Sequence, residues 1–125
     1  MLTDTTFWID LFEERGQRRR GGATQFMESH RSHELRVSII TWAELAEGFM
    51  NPHDLSQLLK HIRVLPLSQQ IAWEASRIAR ELNATGGRLG ENDNWIAATA
   101  QAWGLRLVSR DTAFSRVPRL NVVNY

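Results

Sequence analysis

Short apolar runs rich in β-branched residues alternate along this chain with stretches whose apolar residues recur at helical spacing. Leu2-Thr3, Arg36-Val-Ser-Ile-Ile40, Ile62-Arg-Val-Leu-Pro-Leu67, Leu105-Arg-Leu-Val-Ser109 and Leu120-Asn-Val-Val123 read as strands. Between them, Thr5 to Phe12 carries Phe7, Trp8, Leu11 and Phe12 at helical spacing, and an arginine-rich polar helix is expected around Ala23 to Glu34. Thr41-Trp-Ala-Glu44 opens a helix through Phe49, stopped near Asn51-Pro52, and the polar stretch around Asp54 to His61 reads as a further one. Ser68 is placed to cap a long helix with Ile71, Ala72, Ala75, Ile78, Ala79 and Leu82 on one face, ending at Ala84 to Gly87. A last helix runs from the polar stretch Glu91-Asn-Asp-Asn94 through Trp103 and closes at Gly104. Strands separated by helices must run parallel and be covered on both faces, which predicts an α/β fold: a three-layer α/β/α domain with a central, mainly parallel sheet. Pro66 puts its strand at an edge.

At 125 residues the chain fits one domain, 1–125, with its own core. It has no cysteine, so disulfides and thiolate chemistry are excluded, which suits a reducing compartment. No apolar run approaches the ~20 residues of a membrane helix. The start, MLTDTTFWIDLF, carries acids where an export signal would carry bases, so a cytoplasmic location is expected. The net charge of +1 does not announce a nucleic-acid binder. The choice of base is more suggestive: among 15 basic residues only Lys60 is lysine, and arginine forks match phosphate, although GC-rich coding has the same effect. Arg18, Arg19, Arg20 and Arg110 are the candidates for phosphate contact.

In open parallel sheets, ligands bind beyond the carboxyl ends of the strands. Of the 14 acidic residues, Asp4 ends the first strand, Glu44 sits one turn past the second, and Asp111 lies just beyond Ser109. Asp93 reaches the same edge if the segment from Gly86 to Asn92 crosses to it. Each has a local explanation. Asp4 and Asp93 (or Asn92) could cap helices, Thr41 and Glu44 could form a capping box, and Asp111 an Asx-turn. Capping gives no reason, however, for four carboxylates to converge. Like charges raise each other's pKa, and a hard divalent ion such as Mg²⁺ or Mn²⁺ relieves that repulsion with oxygen ligands. Zinc is disfavoured without cysteine or an H-E-x-x-H pattern. His30 and His33 read as surface residues. With no nucleophile constellation and no phosphate-cradling glycine loop, the set suits water activated by metal against a phosphodiester.

The segments MLTDTTFWIDLF, SIITWAELAEGF, GENDNWIAATAQAWGLRLVSRD and FSRVPRLNVVNY resemble, in order and spacing, the PIN-domain nucleases, especially the VapC-type toxins of bacterial toxin–antitoxin pairs. The resemblance covers nearly the whole chain. It implies a PIN-like parallel sheet and a Mg²⁺- or Mn²⁺-dependent ribonuclease, with Asp4, Glu44, Asp93 and Asp111 as its acids and Ser109 as the hydroxyl that helps hold water or an acid. It also implies an RNA substrate, a homodimer and an antitoxin whose tail enters the site. Phe7, Trp8, Phe49 and Trp73 are candidates for the exposed face such partners need, although aromatics at this spacing ordinarily form core. Two positions depart from the pattern. Thr6 stands where many relatives have asparagine, and Ala113 where many have another acid. The second departure leads to the expectation of one firmly held ion and a second arriving with substrate. The rival readings are a PIN-like domain that binds RNA or protein without cutting, and a DNA or structure-specific nuclease. A receiver-type domain is disfavoured because D-T-T offers no acid pair after the first strand.

Overall fold

The computed structural model describes residues 1–125. Five strands form one wholly parallel sheet: β1 (Leu2–Thr3), β2 (Arg36–Ser38), β3 (Arg63–Leu65), β4 (Leu107–Val108) and β5 (Val122–Val123), in the order β3-β2-β1-β4-β5. Six helices connect them: α1 (Thr5–Gly16), α2 (Gly22–Ser29), α3 (Ile39–Ala46), α4 (Pro52–Leu58), α5 (Gln69–Ala84) and α6 (Glu91–Ala102). The expected α/β/α architecture is therefore present, and β3 does lie at an edge.

Strand alternation divides the apolar residues between two cores. Leu2, Leu65 and Leu107 face α5 and α6, where they meet Ile71, Ile78, Leu82 and Ile96. Val37 and Val108 point the other way, against Phe7, Trp8, Leu11 and Phe26 of α1 and α2. Successive side chains on a strand leave opposite faces, so even two-residue strands supply both layers. Phe7 and Trp8 are thus core residues and contribute nothing to an exposed face. Phe49 is half-buried, and Trp73 is 64% exposed on α5.

The boundaries differ from the sequence reading where side chains cap helices early. β2 stops at Ser38, whose Oγ accepts the Thr41 N–H at 3.0 Å, so Ile39 and Ile40 belong to α3 and Thr41 is not its cap. Asn51 caps α4 and Pro52 fills its first turn, where the missing N–H costs nothing; the pair read as a stop is a start. α6 is preceded by Gly90 and has no side-chain cap, so neither Asn92 nor Asp93 serves as one. α2 ends at Ser29, short of Glu34. Ser68 caps α5 as expected, accepting from Ile71 N–H at 3.1 Å. A 3₁₀ turn over Thr112–Arg116, which the pattern did not announce, follows β4.

The arginine-rich loop owes its shape to Glu14. Buried at the end of α1, its carboxylate accepts the N–H groups of Ala23 at 3.2 Å and Thr24 at 2.8 Å, and so caps α2 from a distance. A Cβ at Gly21 would overlap that carboxylate, whereas one at Gly16 would meet nothing. Gly21→Ala should therefore destabilise the protein by roughly 1–3 kcal/mol, while Gly16→Ala should be neutral or stabilising by up to about 1 kcal/mol. Urea unfolding of both variants checks the contrast, and equal effects would contradict the role given to Glu14.

Candidate functional site

β1 and β4 are neighbours in register, Thr3 beside Val108, so the residues that follow them emerge together at the carboxyl edge. These are Asp4 and Ser109. Asp4 caps α1, its Oδ1 accepting the Phe7 N–H at 2.9 Å, and its Oδ2 receives a short hydrogen bond from the Ser109 hydroxyl. Ser109 Oγ in turn accepts the Asp111 N–H at 3.0 Å. Asp111 Oδ1 takes the Ala113 N–H at 2.8 Å and starts the 3₁₀ turn. The capping role of Asp4 and the turn role of Asp111 are both present.

Asp4 is only 3% exposed. Burial pushes its carboxyl up to about 6, against the opposing pull of the Ser109 and Phe7 hydrogen bonds, and the charges of Asp93 and Asp111 push it the same way. Asp93, half-buried in the first turn of α6, is also raised, first by burial and then by Asp111 and Glu44. The segment before α6 thus does return to this edge. Glu44 is held differently. Thr5 donates to its Oε1 at 2.7 Å, and the hydroxyls of Thr5, Thr41 and Ser38 form a chain with 3.3 Å links. Thr41 is therefore tied to the Glu44 region through hydroxyls and not through a capping box. Sequence reasoning missed Thr5, Thr41 and Ser38 as supports; only adjacency to Asp4 and Glu44 could have flagged them.

The arginines are placed elsewhere. Arg18, Arg19 and Arg20 follow the C-terminus of α1, the end away from Asp4, and Arg19 folds back far enough to help lower the Asp10 carboxyl. Arg20 pairs with Glu28 at 2.7 Å, and Arg18 is exposed with φ 51°. Arg110 is beside the acids in sequence, but its guanidinium forks onto Asp10. His30 stacks on Phe26 at 3.9 Å and His33 is exposed, matching the surface reading.

The donor set is all oxygen, which fits a hard divalent ion. The carboxylates do not form a closed cage, since no three His, Asp or Glu side chains converge on one point. That arrangement suits Mg²⁺, which keeps several waters and uses one or two carboxylates together with substrate phosphates. A cavity of about 450 Å³ includes Glu44, alone of the four acids, in its lining, with Ile9, Phe12, Leu45 and Phe49 as its apolar wall.

A wholly parallel sheet with acids crowded at its carboxyl edge defines an α/β class, and the PIN domain family model matches residues 1–120. The chain belongs to the PIN domain family. It is 26% identical over 132 residues to ribonuclease VapC4 of Mycobacterium tuberculosis, covering 98% of this chain and 94% of that one. It is 28% identical over 127 residues to ribonuclease VapC1 of Haemophilus influenzae, covering 95% and 92%. Among solved structures, VapBC-1 of nontypeable Haemophilus influenzae superposes with a TM-score of 0.81 at 26% identity, covering 98% of this chain and 96% of that one. A toxin–antitoxin complex from Klebsiella pneumoniae gives 0.74 at 29% identity, covering 98% and 94%. No helix is long and apolar enough to cross a membrane.

The raised Asp4 sets a pH dependence. The folded protein keeps this proton from the ordinary value, 3.8, up to about 6, where the unfolded chain has already lost it. The stability that this proton provides is complete below 3.8 and is lost as pH rises through 6, a change of about 3 kcal/mol for two units. In chelator, Asp4→Asn should thus be more stable than the parent near neutral pH, with the gap closing towards about pH 4. Urea unfolding across that range tests it, and a gap independent of pH would refute the assignment.

Proposed function

We propose that this chain is an endoribonuclease, a single domain over residues 1–125 that hydrolyses RNA phosphodiester bonds with Mg²⁺ or Mn²⁺. The observation that carries the reading is the buried Asp4 carboxylate, raised by burial and by Asp93 and Asp111, at the carboxyl edge of a PIN-domain sheet. Relatives named ribonucleases over nearly their full length support RNA as the substrate. Asp4, Asp93 and Asp111 would hold the ion, directly or through water, and Glu44 would orient the attacking water or a second ion. Once bound, the ion would supply activated water and neutralise charge on the phosphate. Ser109 donates to Asp4 and accepts from Asp111, and so keeps the two carboxylates in fixed relation without adding charge. Because Ala113 supplies no further acid, one ion would be held firmly and a second would come with substrate.

Arg18, Arg19 and Arg20 follow the end of α1 opposite Asp4, with Arg19 reaching back towards Asp10, so the phosphates they meet would lie to that side of the bond cut. The family's toxin–antitoxin complexes support an antitoxin as partner. The wall of Ile9, Phe12, Leu45 and Phe49 offers an apolar segment a seat beside Glu44, with Ile9 52% exposed. Trp73 is an available contact for a homodimer. A cytoplasmic location completes the proposal.

With Mg²⁺ or Mn²⁺ the protein should cleave mixed RNA, lose that activity in EDTA, and leave DNA of the same sequence uncut. Asp4→Asn should lower the rate by roughly 10²-fold or more while remaining folded by circular dichroism. An unchanged rate in that variant would remove Asp4 from the machinery. Calorimetric titration with Mn²⁺ in the absence of RNA should show one tight site; two would contradict the single-ion reading. Replacing Arg18, Arg19 and Arg20 by Gln should weaken RNA binding and flatten its salt dependence. An identical salt slope would place the triplet outside the interface.

A further inference from the structure

Arg110 stands between Ser109 and Asp111, and its guanidinium is engaged by Asp10 of α1. Its Nε donates to Asp10 Oδ2 at 2.6 Å and its Nη2 to Oδ1 at 3.2 Å, a bidentate fork across 100 residues of sequence. Tyr125 donates its hydroxyl to the same Asp10 Oδ2 at 2.7 Å, and its ring meets fully buried Phe7 edge-on at 5.0 Å. An exposed ion pair contributes little by attraction alone, and the Arg110 side chain is 57% exposed. Its value is geometric, because a planar fork met by two carboxylate oxygens admits one orientation.

The consequence falls on Asp111. Asp111 itself has extended backbone, φ −76° and ψ 115°, and lies within electrostatic reach of Asp4 and Asp93. The two residues before it are both tied down, Ser109 to Asp4 and Arg110 to Asp10, so the backbone that carries Asp111 is held through both of their side chains. We propose that Asp10, with Tyr125 behind it, is a positioning clamp on Arg110 that aims Asp111 into the acid site. Arg110 is then a positioning residue rather than an RNA phosphate contact. This rests on the reading of the acids as a divalent-metal site.

The test compares the parent with Asp10→Asn, Arg110→Gln and Tyr125→Phe, measuring Mn²⁺ affinity calorimetrically without RNA, kcat and KM for RNA, and thermal midpoint. Loss of support behind a metal ligand typically weakens metal binding 10- to 100-fold. Asp10→Asn and Arg110→Gln should each weaken Mn²⁺ by about 10-fold, lower kcat at limiting Mn²⁺, recover at excess, and leave KM for RNA unchanged. The double variant should be no worse than either single one, because both break the same link. Tyr125→Phe keeps the ring on Phe7 and removes one hydroxyl, so it stays folded and should weaken Mn²⁺ by a few-fold. Unchanged Mn²⁺ affinity in Asp10→Asn, or a raised KM with unchanged Mn²⁺ affinity in Arg110→Gln, overturns the clamp and returns Arg110 to the phosphates. If the parent itself binds no Mn²⁺, the metal reading fails first and takes the clamp with it.

Discussion

Asp4 is a carboxylate that the fold has removed from water and set among other acids. Each oxygen has one protein donor, the Phe7 N–H on one side and the Ser109 hydroxyl on the other. Neither donor carries a full charge, so desolvation still dominates and the proton is held to about 6. A structure that keeps this cost needs something to offset it, and a divalent cation does so more completely than any neutral donor. The register of β1 with β4 makes the arrangement unavoidable. Pairing Thr3 with Val108 delivers Asp4 and Ser109 to the same edge and leaves Asp111 one short turn away.

Around this carboxylate the molecule uses two kinds of support. On the α3 side it uses hydroxyls: Thr5 holds Glu44 and is linked through Thr41 to Ser38, the residue that also caps the helix. On the β4 side it uses charge: Asp10 takes the Arg110 fork and the Tyr125 hydroxyl. Hydroxyls can lie close to the acids without neutralising them, and so leave their negative charge available for a cation. A guanidinium in the same place would compete for the carboxylates. Arg110, beside Asp111 in the chain, is engaged by an aspartate of α1. The far end of α1 is secured separately by Glu14, so the arginine-rich loop is shaped by a buried acid and not by its own bases.

The layers, the edge position of β3 and the edge shared by the four acids were legible because they follow from periodicity and strand direction. Local capping was legible where the donor and acceptor are close in sequence, as for Ser68 with Ile71. It was misread where two signals overlapped. Ser38 and Thr41 are both good caps, and only the backbone turn at Ser38 decides between them. The polar run before α6 looked like a cap, yet Gly90 holds that position and leaves Asp93 free in the first turn.

Chain order and side-chain chemistry by themselves determined that the strands would run parallel, and singled out Asp4, Glu44, Asp93 and Asp111 as the candidate acids beyond their carboxyl ends. Only the tertiary structure decided what holds those acids. Thr5 meets Glu44 across 39 residues, Ser109 meets Asp4 across 105, and Tyr125 meets Asp10 across 115. Contacts of that span have no period in the sequence. They depend on how strands stack side by side, and that is fixed by the burial of both faces of the sheet at once.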